Sequence, residues 1–110
     1  MPEAKYVVVF VTAGSVKEGE RLANALVGEK LAGCVNIHRE VSSIYRWGGK
    51  IQKDKECLLM AKARRSNLKK LIKKVKELHS YDVPEVIALP ILEGSRDYMR
   101  WLSEATKSSP

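Results

Sequence analysis

The sequence of 110 residues predicts an α+β fold with an antiparallel sheet, and three observations indicate it. A continuous β-branched run near the N-terminus is typical of a buried strand, and two later stretches repeat apolar residues at helical spacing. A long pair of extended segments is joined by Gly48-Gly49, the usual chemistry of a hairpin turn. Because 1–110 contains no repeat or linker, we expect a single domain with an ordered core over about 5–104.

The first strand and the first helix are predicted from the N-terminal third. Tyr6–Thr12 is continuously apolar, which is typical of a central strand. Ser15 and Glu18 have the spacing of a capping box, in which each side chain bonds a backbone N–H near the other, so the helix begins there. Gly33 is predicted to end the element. The apolar stripe of the helix comprises Leu22, Ala23, Leu26, Val27 and Leu31.

A long β-hairpin occupies the middle of the chain. Cys34–Trp47 and Lys50–Ala63 have strand character, and Gly48-Gly49 supplies the positive φ angles of a two-residue turn. Along Cys34–Trp47 the apolar residues switch from odd to even positions, so they can face one side only if the strand contains a β-bulge. We place this bulge at Ser42-Ser43. The strand spans about 46 Å when extended, whereas a compact domain of this length is about 34 Å across. The hairpin tip should therefore overhang its own domain.

An overhanging hairpin exposes apolar side chains and strand edges to water. Another copy of the chain could cover them, so the sequence predicts a homo-oligomer. The apolar residues near the tip are Ile44, Tyr45, Trp47 and Ile51.

A second helix, a fourth strand and a short third helix complete the pattern. Ser66 is predicted to cap the second helix, which ends near His79. Val86–Ile91 is an apolar strand that follows a proline turn, and Gly94-Ser95 begins the third helix. The tail 107–110 is predicted to be disordered. The order β-α-β-β-α-β is that of the ferredoxin-like split βαβ fold, with both helices on one face of the sheet.

Composition restricts the location and the partners of the chain. No segment approaches the roughly 18 apolar residues of a membrane span or resembles a signal peptide, so we expect a cytoplasmic protein with no membrane partner. Cys34 and Cys57 lack CxxC spacing, and buried free thiols are the ordinary explanation of such residues.

Positive charge is concentrated on the second helix. Lys and Arg exceed Asp and Glu by 7 in the whole chain, and we interpret the helix lysines as a solvated face. No nucleic-acid partner is expected, because the third strand lacks the aromatic residues on which an RNA-recognition motif stacks bases. A basic RNA-binding domain of the same fold remains an alternative.

Four stretches together resemble the CutA, or divalent-cation tolerance, family. They are LAGCVNI at 31–37, SIYRWGGKI at 43–51, HSYDVPEVIALPI at 79–91 and DYMRW at 97–101. The resemblance covers nearly the whole chain and implies a ferredoxin-like homotrimer that is joined through its long hairpins and related in architecture to PII-type signalling proteins. It also implies a role in tolerance of, or response to, divalent metals such as copper.

The chain departs from the pattern of that family in several places. Ser80 and Asp82 replace a usual proline and glutamate, and Gly48 stands where an acidic residue is usual. Val11 occupies the position at which some members have a cysteine implicated in copper binding. A metal site therefore cannot be transferred as a whole from the family.

Two sets of residues are candidate sites. Cys34 and His79 suit copper, since thiolate and imidazole are both copper ligands, and Glu85 or a neighbouring subunit would have to complete the site. The alternatives are a buried thiol and a helix-end imidazole. The second candidate is a cleft between subunits for a small anionic ligand, although its aromatic residues also suit core anchoring. Its residues are Lys62, Tyr81, Glu85, Tyr98 and Trp101.

Catalysis is not expected. The chain has no nucleophile elbow, no Gly-rich phosphate loop and no HExxH motif, and neither His38 nor His79 has an acid-base partner by spacing. The sequence therefore predicts a non-catalytic trimer linked to divalent-metal tolerance, which requires no cofactor but could bind copper or another divalent cation. A PII-like sensor of small molecules without metal is the main alternative.

Overall fold

The computed structural model describes residues 4–108. Within them, an antiparallel sheet has the strand order β2-β3-β1-β4. Its strands are β1 (Tyr6–Ala13), β2 (Cys34–Trp47), β3 (Lys50–Arg64) and β4 (Val86–Pro90). The helices are α1 (Val16–Gly28), α2 (Leu68–Leu78) and α3 (Arg96–Ala105). The α+β class, the ferredoxin-like element order and the central position of β1 are confirmed.

The two faces of the sheet differ in their covering. One face packs on Leu22 and Leu26 of α1 and on Leu71 and Val75 of α2, and we call it the covered face. Its strand residues are all buried: Val7, Val9, Val11, Ala13, Cys57, Leu59, Ala61 and Ala63. The opposite side chains form the open face, whose apolar residues are Val8, Phe10, Leu58, Met60, Ile87 and Leu89. The alternating directions of side chains along a strand thus give the continuously apolar β1 one buried face and one apolar surface.

The hairpin has the predicted length and turn, but its bulge lies elsewhere. Gly48 and Gly49 adopt φ angles of 62° and 73°, and the molecule measures 45 × 30 × 22 Å with exposed apolar residues at the tip. The register shifts between His38 and Val41, so the placement of the bulge at Ser42-Ser43 was wrong. Both serines pair regularly with β3, whereas the exposed residues 39 and 40 leave the ladder without burying a charge.

The end of α1 also differs from the prediction. The helix ends at Gly28, and Lys30 takes the left-handed conformation with a φ of 60°. Leu31 is buried in the turn that follows the helix. Gly33 serves a different purpose, because a Cβ atom there would lie 2.7 Å from Cδ1 of Leu102. The absence of a side chain at Gly33 therefore lets α3 approach the sheet.

The predicted cap of α2 was wrong, whereas the predicted start of α3 is confirmed. Ser66 lies in a 3-10 turn over Arg65–Asn67, and Asn67, which precedes α2, makes no side-chain cap bond. The backbone N–H of Arg65 instead donates to the carbonyl of Lys5 at 2.8 Å, which ties this turn to the start of the sheet. The Oγ of Ser95 accepts from the backbone N–H of Tyr98 at 3.4 Å, so α3 begins where predicted.

Two further expectations concern the C-terminal tail and membrane-spanning helices. Ser109 and Pro110 fall outside the described residues, so the predicted disorder of the tail remains a prediction. In the part of the chain from 4 to 108, no helix is both long and apolar enough to span a membrane.

Candidate functional site

The carboxylate of Glu18 joins the end of β1 to the turn after α2. Its Oε1 accepts from the backbone N–H of Gly14 at 3.2 Å and from the hydroxyl of Ser80 at 3.0 Å, and its Oε2 accepts from the Ser80 N–H at 2.8 Å. Burial alone would raise the pKa of Glu18, but these hydrogen bonds outweigh it and hold the pKa below its usual value. Glu18 is therefore a charged anchor between two loops.

Only one of the two hydrogen bonds of the predicted capping box is present. Ser15 does accept from the backbone N–H of Glu18 at 3.1 Å. The carboxylate, however, does not return to Ser15, because it bonds Gly14 and Ser80 instead. No local pattern in a sequence signals a contact between residues 62 apart, but this contact accounts for Ser80 at a position where the family usually has proline. A proline at that position would have no N–H to donate.

His79 is buried beside Glu18, and the chain itself uses both of its ring nitrogens. Nδ1 accepts from the backbone N–H of Tyr81 at 3.0 Å, so the proton lies on Nε2, which donates to the Thr12 carbonyl at 2.7 Å. The Glu18 carboxylate lies 3.7 Å from Nδ1. A metal ion at His79 would have to displace one of these hydrogen bonds.

Cys34 and His79 lie toward opposite ends of the sheet within one chain. Cys34 is paired with Lys62, which is paired with Val8 on β1. His79 bonds Thr12, four residues further along the same strand, which corresponds to about 13 Å. Across residues 4–108, no cluster of three or more His, Cys, Asp and Glu side chains could hold a metal ion. The copper site thus remains a prediction that needs donors from a second subunit.

A groove lies between the half of the hairpin nearer its tip and the turn after α2. Its volume is about 790 Å³. The hydroxyl of Tyr81 donates to Oε2 of Glu56 at 2.9 Å, and that of Tyr45 donates to Asp54. The remaining lining residues are Thr12, Ser42, Ser43, Ile44, Arg46, Trp47, Asp82, Val83 and Glu85. The groove therefore presents aromatic rings beside several carboxylates.

The tyrosines of this groove stay neutral at ordinary pH. Burial, together with the hydrogen bond to Glu56, raises the pKa of Tyr81 to about 12. The hydrogen bond to Asp54 raises the pKa of Tyr45 above its usual value. Both phenols act as donors to carboxylates, and neither is poised to act as a base.

The predicted ligand cleft is divided between two places. Tyr81 and Glu85 line the groove, whereas Tyr98 and Trp101 stand on α3 with ring centroids 5.5 Å apart. Lys62 pairs with Cys34 near the start of β2, and the pKa of Tyr98 is raised by partial burial and by the nearby Cys34. The five residues do not form one pocket in a single chain.

α3 is held in place by a residue that the sequence did not single out. The guanidinium of Arg64 donates to the carbonyl of Ser103 at 2.7 Å and to the hydroxyl of Thr106 at 3.0 Å. Leu102 and Thr106 are fully buried beneath it. These contacts position Tyr98 and Trp101 on the exposed side of α3.

Comparisons with known proteins match the chain to one family over nearly its whole length. Residues 7–105 match the family model described as CutA1 divalent ion tolerance protein. Protein CutA, chloroplastic, of Arabidopsis thaliana is 50% identical over 93% of this chain, which spans only 56% of that relative. The divalent-cation tolerance protein CutA of Thermus thermophilus is 48% identical, with 90% and 96% of the two chains covered. The crystal structure of CutA1 from Oryza sativa superposes with a TM-score of 0.92 at 48% identity and covers 97% of this chain and 98% of that one.

Proposed function

We propose that this chain, which belongs to the CutA1 divalent ion tolerance protein family, is the subunit of a non-catalytic homotrimer that binds copper or a small ligand in clefts between subunits. Membership supports a role in tolerance of divalent ions. The trimer, the ligand and the absence of catalysis are our proposals, as is a cytoplasmic location. This chain spans about half the length of the longer relatives, so our proposals do not extend to the activity and partners of those whole proteins.

The open face is the observation that carries the proposal. Six neighbouring apolar side chains on three strands are only partly covered, and Ile87 and Leu89 are 54% and 51% exposed. Contiguous apolar surface of this kind marks an interface in soluble proteins. The hairpin tip adds exposed Trp47 and Ile51. A homotrimer in which sister chains cover both regions accounts for the apolar surface of the open face and of the hairpin tip.

Assembly would also unite the divided candidate residues. Tyr81 and Glu85 lie at the groove of one subunit, and Lys62, Tyr98 and Trp101 lie toward the other end of its sheet. A cleft between two subunits can combine one set from each. Such a cleft would add the Lys62 cation to the aromatic rings and carboxylates of the groove, and the Lys62 ammonium would be the contact for a small anionic ligand.

Absence of catalysis is proposed from the hydrogen bonding of the imidazoles. His79 bonds backbone groups through both nitrogens, and His38 contacts the sulfur of Met60 at 3.2 Å. In the described part of the chain, neither histidine is bonded to a serine, threonine or cysteine side chain that it could activate.

Light scattering tests the assembly. We expect a mass of about three times the 12.4 kDa chain for the wild type and a smaller mass for Ile87→Asp, because a carboxylate would be buried in the interface. Leu92→Asp is the matched control, since Leu92 is 88% exposed in a loop outside the open face. A monomeric wild type would contradict the trimer.

Calorimetric titration of copper into the reduced protein tests the metal. Binding should be lost in Cys34→Ser and retained in Cys57→Ala, because Cys57 is buried on the covered face. A trimer that takes up no copper would refute the metal part alone. It would favour the PII-like alternative, for which the groove beside Tyr81 is the supporting observation and a panel of small anions and nucleotides is the test.

A further inference from the structure

The outward side of α2 carries a row of lysines that the proposed function does not use. We call Lys69, Lys70, Lys73 and Lys76 the basic stripe, and all four are exposed. At 100° per residue, Lys69, Lys73 and Lys76 fall within an arc of about 60°, with Lys70 beside them. The fully buried Leu71 and Val75 occupy the opposite side of the helix. The stripe therefore points away from the sheet.

Among residues 4–108, the lysines of the stripe have no acidic partner. In the part of the chain from 4 to 108, none of the four forms an ion pair. Lys74 on the same helix contrasts with them, because its ammonium lies 3.1 Å from Glu29 and 3.7 Å from Glu77. Like charges three and four residues apart repel one another on a helix. The stripe therefore maintains an uncompensated positive charge that a polyanion would neutralise.

We propose that the basic stripe binds the phosphate backbone of nucleic acid without reading its sequence. Lysine presents a compact point charge to phosphate, and residues four apart on a helix follow one another by about 6 Å along its axis. The stripe thus presents a line of ammonium groups to successive phosphates. Neither α1 nor α2 contains an aromatic residue on which a base could stack.

This inference departs from the expectation that the chain has no nucleic-acid partner. That expectation rested on the missing aromatic residues of the third strand, which are needed to read bases. Backbone binding needs only charge and access, and both are present on α2.

An anionic membrane is the competing polyanionic surface, and the packing of α2 disfavours it. An interfacial helix inserts an apolar face into the lipid. The apolar face of α2 is already buried in the core through Leu71 and Val75. The helix has no second apolar face to insert.

The test is fluorescence anisotropy of a labelled 30-nucleotide single-stranded RNA of mixed sequence, measured as salt is raised. With about four phosphates neutralised per chain, the plot of log K against log salt should have a slope of about −3. The variant K69Q/K70Q/K73Q/K76Q should bind at least about tenfold more weakly at 50 mM salt, with a slope near zero. Circular dichroism verifies that the variant is folded.

The control removes the same charge elsewhere. Lys17, Lys53, Lys55 and Lys107 are exposed residues outside α2, so K17Q/K53Q/K55Q/K107Q should bind RNA nearly as the wild type does. Equal losses in the two variants would overturn the proposal, since net charge alone would then explain binding. So would a strong preference among RNA sequences, or displacement of the RNA by vesicles containing phosphatidylserine. Equal affinity for the same RNA with its sequence permuted would support the proposal.

Discussion

The covered and open faces of the sheet are built from alternate residues of the same strands, yet their surroundings differ. Leu59 on the covered face is fully buried under α1 and α2, whereas Leu58 beside it faces the partly exposed side. Side chains of similar hydrophobicity thus stabilise the chain in one case and present a surface in the other. The covered face is completed within the chain, and the open face is available to other molecules.

The largest expected loss of stability is at the packed covered face. Leu59→Ala should lower the free energy of unfolding by about 3 kcal/mol, because it leaves a cavity in a fully packed core. Leu92→Ala, at a residue 88% exposed, should change it by less than about 0.5 kcal/mol. Urea denaturation followed by circular dichroism measures both. Equal losses would contradict the distinction between packed and exposed residues.

A smaller effect is expected at Glu18, which links β1, α1 and the turn after α2. Glu18→Gln should cost about 1.5 kcal/mol, since one amide group cannot accept all the hydrogen bonds of the carboxylate. Glu20→Gln on the same helix is the control, because Glu20 is exposed. The same denaturation experiment reports both, and a loss at Glu20 as large as at Glu18 would show that helix charge, not the junction, matters.

The pH dependence of stability should report the same carboxylate. The pKa of Glu18 in the folded chain lies below the reference value of 4.5, so its contribution is fully present above that pH and is lost as pH falls through the folded pKa. Glutamine does not titrate. The urea midpoint of Glu18→Gln should therefore fall less between pH 5 and pH 3 than that of the wild type. Parallel curves would mean that other carboxylates govern acid unfolding.

The smallest effect is expected in the groove, beside the open face. Tyr81→Phe should cost about 0.5 kcal/mol, because the lost hydrogen bond to Glu56 is near solvent. The pKa of Tyr81 is raised to about 12, so its contribution is present below pH 10 and lost as pH rises toward 12.

Ultraviolet titration of the phenols checks that assignment. Tyr81→Phe should remove absorbance change near pH 12, whereas Tyr98→Phe should leave that part of the curve intact, with circular dichroism confirming that the chain is still folded. An absorbance change near pH 12 that is as large in Tyr81→Phe as in the wild type would assign the shift to another residue.

The prediction of the candidate site was less complete than that of the fold. Cys34 and His79 were chosen because their chemistry suits copper, and the five cleft residues because theirs suits a small ligand held between subunits. Within one chain, the register separates Cys34 from His79 by several residues along β1. Glu18 was identified only as a cap, because a contact between residues 62 apart leaves no local pattern in a sequence.

By itself the sequence determined the element order, the hairpin and its double-glycine turn, the start of the third helix and the residues that form the core, because hydrophobic periodicity and turn chemistry act over a few neighbours. Only the tertiary structure decided where α1 ends, where β2 bulges and why position 33 requires a glycine. It also decided that His79 is bonded through both ring nitrogens. These features depend on which distant segments meet, and local patterns do not encode such contacts.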